Sequence, residues 1–168
     1  MSWNSQMVII LRDMVFDTDP SAYTYTSARL EQALVNSAYW VYTKLDFAAT
    51  YNIDVENIEI TPDPTEDPID YDFVALVCMR AAVLVLGSEI KTRALTSVRV
   101  VDGPSSVDTT TVVQNLKPLY DAAVKQFENA MLSYQVGESS AGKGILSPYS
   151  ANINLPYFGG SYYYGGRV

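Results

Sequence analysis

Apolar side chains at Met7, Ile10, Leu11 and Met14 recur at helical spacing and stop before Asp17-Thr-Asp-Pro20, which predicts a short first helix. A second, longer helix is predicted from about Thr26, whose hydroxyl suits an N-cap. Leu30, Leu34, Ala38, Val41 and Leu45 form its single apolar stripe. From Tyr51 the period drops to two. Tyr51, Ile53 and Val55 alternate with Asn52, Asp54 and Glu56, as in a half-buried strand, and Ile58 and Ile60 resume after a slip at Asn57 that reads as a bulge. Pro62, Pro64 and Pro68 then impose an extended acidic loop, with Asp70 or a neighbour capping the next helix.

Residues 73–86 are apolar apart from Arg80, so this helix is expected to be surrounded and to form the centre of the core. Gly87 is expected to end or bend it, with helix continuing over 89–95. Val98, Val100 and Val101 predict a short strand, stopped by Asp102-Gly-Pro104 and paired with 51–60. In the last helix Leu116, Tyr120, Ala123, Phe127, Ala130 and Tyr134 follow a 4-3-4-3-4 spacing, a packing seam of the kind that joins protomers. Pro118 leaves two forms open: a helix starting near Lys117, or a longer one from Thr109 that is kinked. The expected fold is mainly α, a bundle of about four helices with a small two-stranded β element and an extended C-terminal arm.

Composition divides the chain into a body, 1–134, and an arm, 135–168. The arm holds only three charged residues, Glu138, Lys143 and Arg167, but seven of the nine glycines and six aromatics. A linker would be polar and a disordered tail charged, whereas Gly with Tyr is an interface mixture. Ile145, Leu146, Tyr149, Leu155, Tyr157, Phe158, Tyr162, Tyr163 and Tyr164 are therefore the candidate partner-contact residues.

The body carries 18 acids and 9 bases, and nine of the acids fall between Lys44 and Arg80, where no cation occurs. Nucleic-acid affinity comes mainly from clustered cations, so a conventional DNA- or RNA-binding role is disfavoured. Histidine is absent and Cys78 is the single cysteine, which removes the commonest general base, Cys-rich metal sites and any intrachain disulfide. The run Met7–Leu11 lacks the basic front end and cleavage site of a signal peptide. No stretch is expected to approach the roughly 18 apolar residues that cross a bilayer. The chain reads as soluble and from a reducing compartment, without a membrane partner.

Gly137 to Gly144 matches the P-loop pattern except at its last position, where Gly144 replaces the Mg²⁺-binding hydroxyl, and a helix rather than a strand precedes it. A flexible helix exit is the favoured reading. Asp17-Thr-Asp19 reads as a turn before Pro20, not a calcium loop, and 63–72 as a solvated acidic loop. Cys78 reads as a buried thiol and Tyr39, Trp40 and Tyr42 as packing aromatics. No catalytic residue, cofactor or metal site is expected, and an enzyme is disfavoured.

The segment order resembles the head-to-tail connector, or neck adaptor, proteins of tailed bacteriophages. The residues that carry the likeness are Ile10-Leu-Arg-Asp-Met14, Asp17-Thr-Asp19, Tyr23-Thr-Tyr-Thr26 and Arg29-Leu-Glu-Gln-Ala-Leu34. It continues through Phe73-Val-Ala-Leu-Val-Cys-Met-Arg-Ala-Ala82, Val98-Arg-Val-Val-Asp-Gly-Pro104, Val107-Asp-Thr109 and a long helix ending in Tyr134. It spans about residues 7–134 and leaves the arm uncovered.

The resemblance implies a structural virion protein: a dodecameric ring beneath the portal, joined to the tail or further neck proteins and extending the DNA channel. Double-stranded DNA would pass through without sequence-specific binding, and assembly would occur in the host cytoplasm. An acidic wall would let DNA slide without gripping it. The alternatives are a tail-terminator or tail-completion protein, a nucleotide-binding enzyme using Gly137–Gly144, and a module whose tyrosines bind a host ligand.

Overall fold

The computed structural model describes residues 2–96, 99–102, 105–108 and 110–138. The elements in order are α1 (Trp3–Met14), α2 (Ser27–Lys44), β1 (Asn52–Asp54), β2 (Glu59–Thr61), α3 (Tyr71–Thr96), β3 (Arg99–Asp102), β4 (Ser105–Asp108) and α4 (Thr110–Glu138). The fold is mainly α, as expected. The chain divides into two units, Met1–Met131 and Leu132–Val168, and of the second only the end of α4 is described. The partner-contact candidates from Ile145 to Tyr164, and Lys143 of the P-loop-like stretch, lie outside the described residues.

Local chemistry sets most helix boundaries. Thr26 Oγ1 accepts the Arg29 N–H at 3.4 Å and caps α2, and Asp70 Oδ1 accepts the Phe73 N–H at 3.0 Å and caps α3. All five stripe residues of the second helix are buried. α1 begins at Trp3, a turn earlier than its apolar pattern indicates. A distant residue accounts for this: Asp63 Oδ2 accepts the Trp3 N–H at 2.7 Å, placing a carboxylate at the positive end of the helix.

The loop that supplies Asp63 is not simply solvated. Pro64 is fully buried and Thr65 nearly so, while Asp63 Oδ1 also accepts the Thr65 N–H and hydroxyl at 2.8 and 2.6 Å. Asp70 is the expected cap of α3, and Asp63 is a second, unexpected cap, which corrects the reading of 63–72 as a wholly solvated acidic loop.

The strands also differ from expectation. Residues 51–60 do not pair with β3. Instead β1 and β2 form one antiparallel hairpin and β3 and β4 another, each closed on its nearest neighbour in sequence. The slip at Asn57 is a turn and not a bulge: Asp54 Oδ1 accepts the N–H groups of Glu56 and Asn57, and Ile58 takes a positive φ of 57°.

α3 forms the core centre, with Phe73, Val77, Cys78 and Ala81 fully enclosed and α1 and α2 packed against it. At one end Phe73 stacks on Tyr51 at 4.2 Å and meets Phe47 edge-on at 5.1 Å, which ties β1 and the exit from α2 to α3. The helix also corrects the membrane expectation. It contains an 18-residue window long and apolar enough, by length and composition, to cross a bilayer, but half of that window is buried in the body.

Gly87 does not end α3, which runs through it to Thr96. It serves a close approach instead: a Cβ there would lie 3.2 Å from Cε2 of Tyr120 on α4. α4 is the longer of the two expected forms, with Pro118 inside it. Pro118 has no N–H, so the Gln114 carbonyl lacks its usual helical donor.

Candidate functional site

A cleft of about 800 Å³ opens between the end of α1, the stretch of α3 from Met79 to Arg93, and α4. Met14, Val15 and Phe16 form one wall, Met79, Ala82 and Leu86 the second, and Leu116, Leu119 and Ala123 the third. The polar lining comes from Asp13, Asp17, Thr24, Tyr25, Glu89, Arg93 and Gln126. Such an apolar hollow with a few polar groups suits a side chain or peptide segment more than a charged metabolite.

The first wall is built by an unusual helix end. The Asp17 N–H donates to the Arg12 carbonyl at 2.9 Å and the Phe16 N–H to the Asp13 carbonyl at 3.2 Å, the paired bonds of a Schellman C-cap. That motif places Phe16 in the left-handed region, φ 59°, where glycine is the usual residue. Phe16 is nevertheless 82% exposed, so its ring does not offset the backbone strain by packing in the body.

A buried ion pair holds this geometry. Arg12 donates to Asp17 at 2.6 Å, with both side chains almost fully enclosed, and reaches Ser27 Oγ at 3.3 Å. Asp17 also accepts the N–H groups of Thr24 and Tyr25 at 2.7 and 3.2 Å, and the Tyr23 ring covers the guanidinium at 3.6 Å. The carboxylate thus accepts three hydrogen bonds from within the chain, two on Oδ2 and one on Oδ1. Asp19 is held below the usual carboxylate range by the hydroxyl and N–H of Ser21.

The opposite wall carries the Glu89–Arg93 ion pair at 2.7 Å, one helical turn apart. Tyr25 faces the same cleft, and burial, followed by the nearby Glu89 charge, raises its phenol above the ordinary range. Tyr25 thus stays neutral and able to donate throughout the physiological range.

The seam residues of α4 occupy different surroundings. Leu116 and Ala123 line the cleft, and Tyr120 lies against Gly87. Phe127 is buried, 5.8 Å from the Trp40 ring, with the Arg80 guanidinium 4.7 Å from Trp40 and 5.9 Å from Phe127. Ala130 is half-buried and Tyr134 lies on the last turns of the helix. Leu119, beside the seam, is 49% exposed and was not marked by the spacing.

Cys78 is enclosed on α3, and burial pushes its thiol up to about 12, far from a nucleophile's range. Among the described residues no group of three or more His, Cys, Asp or Glu could hold a metal ion. No protein-family model, curated protein or solved structure matches this chain.

Proposed function

We propose that this chain is a structural virion protein, a neck adaptor whose copies form a ring that joins the portal to the tail and extends the DNA channel. The observation that carries the reading is the incomplete covering of α3. Its run 73–86 is apolar apart from Arg80, the pattern of an enclosed helix, yet Leu84 within that run is 37% exposed, and Leu95, on the polar last turns, is 88% exposed. Large apolar side chains also stand open at Ile9, Phe16, Tyr39 and Tyr71, on separate elements. A protomer that meets several neighbours needs apolar area in several places, and these exposed side chains would supply it.

Charge supports the same reading. The nine acids of 45–79, with no cation among them, give one segment a density that repels phosphate. Such a segment suits a wall past which DNA slides. The arm would dock on the portal, and the order of segments across 7–134 resembles the neck adaptors.

Gold-labelled antibody against the purified chain, imaged on particles of the encoding phage, tests this. Label at the head-tail joint that stays with the head after heads and tails are separated agrees with an adaptor. Label that leaves with the tail would instead favour a tail-terminator protein.

A further inference from the structure

The chemistry of the cleft specifies its occupant. Met14 and Met79 can repack around an uneven side chain, while Glu89 and Gln126 offer acceptors to a hydrogen-bonding tip. A tyrosine has that form: a large apolar body with a hydroxyl at its end. Residues 139–168 supply such a segment. They contain two cations and no acid, against a body with nine more acids than bases, and include Tyr162-Tyr163-Tyr164 between Gly159-Gly160 and Gly165-Gly166. The paired glycines impose little backbone restriction on entry into the cleft.

We infer that the cleft receives the 159–166 segment of another copy of this chain, one tyrosine entering between Phe16, Leu86 and Leu119. This rests on the ring reading, since a closed ring gives each copy one neighbour to fill its cleft and one to receive its arm. The strained, exposed Phe16 is the fixed jaw of the cleft, held by the Arg12–Asp17 pair without cost on binding. Residues 145–158 remain free for the portal.

The test places a photoreactive benzoylphenylalanine at Leu119 of the full chain, mixes ¹⁴N- and ¹⁵N-labelled copies and maps crosslinks by mass spectrometry, with rings counted by microscopy in the same sample. Crosslinks from position 119 to 159–166 of the opposite isotope are expected. A combined Tyr162→Ser, Tyr163→Ser and Tyr164→Ser variant should reduce them about tenfold. Rings whose crosslinks stay within one isotope, go only to other segments, or persist in the triple variant would overturn the inference and leave the ring reading intact. Absence of rings at every concentration, on particles as well as in solution, would remove both.

Discussion

The ring of Tyr120 lies so close to the backbone of Gly87 that a methyl group there would sit 3.2 Å from Cε2. The two residues bring α4 against the middle of α3. They also account for a glycine inside a 26-residue helix, where it costs about 1 kcal/mol relative to alanine.

Gly87→Leu should therefore lower unfolding stability by about 1–3 kcal/mol, the usual cost of overpacking. Tyr120→Ala in the same chain should recover part of the loss. A double-mutant cycle by urea denaturation measures the coupling, and additive effects would contradict the contact.

Breaking the enclosed Arg12–Asp17 pair should be more severe. Asp17→Asn leaves a guanidinium buried without its counter-charge, with an expected loss of about 3 kcal/mol. Asp19→Asn, two residues away and fully exposed, should change stability little. Thermal melts of the two variants give the comparison.

Phe16→Gly should raise stability by about 1 kcal/mol, because glycine adopts the left-handed cap without strain. A bulky residue kept there at a cost to folding points to a use for the exposed ring. The variant should therefore be more stable by denaturation and poorer in ring assembly by microscopy.

Alkaline pH should weaken the fold. Thiol and phenol are uncharged when protonated, and burial raises Cys78 from about 9 to about 12, while burial and then the Asp70 hydrogen bond raise Tyr51 above 10.0. The unfolded chain loses these protons first. Their contribution is thus complete below about pH 9 and declines as the pH rises toward the folded values. Urea midpoints should fall across that window, Cys78→Ala should flatten the early part, and iodoacetamide should label Cys78 only on unfolding.

Features encoded within a few residues were legible in the sequence. Thr26 and Asp70 act through the next three residues, and Leu30 to Leu45 share one face through helical period alone. Contacts across long separations were not. Asp63 caps a helix 60 residues away, and the strands chose adjacent partners that alternation cannot distinguish from remote ones. Phe16 carries no glycine to announce the cap it forms. The cleft draws its walls from α1, α3 and α4, so no local pattern marks Leu119 or Leu86, although the apolar run Met14-Val15-Phe16 at the end of α1 was a visible trace of one wall.

The most direct measurement is electron microscopy of particles assembled from a genome lacking this chain. A neck adaptor predicts separate heads and finished tails, with DNA escaping from the heads. Intact tailed particles that retain their DNA would contradict it.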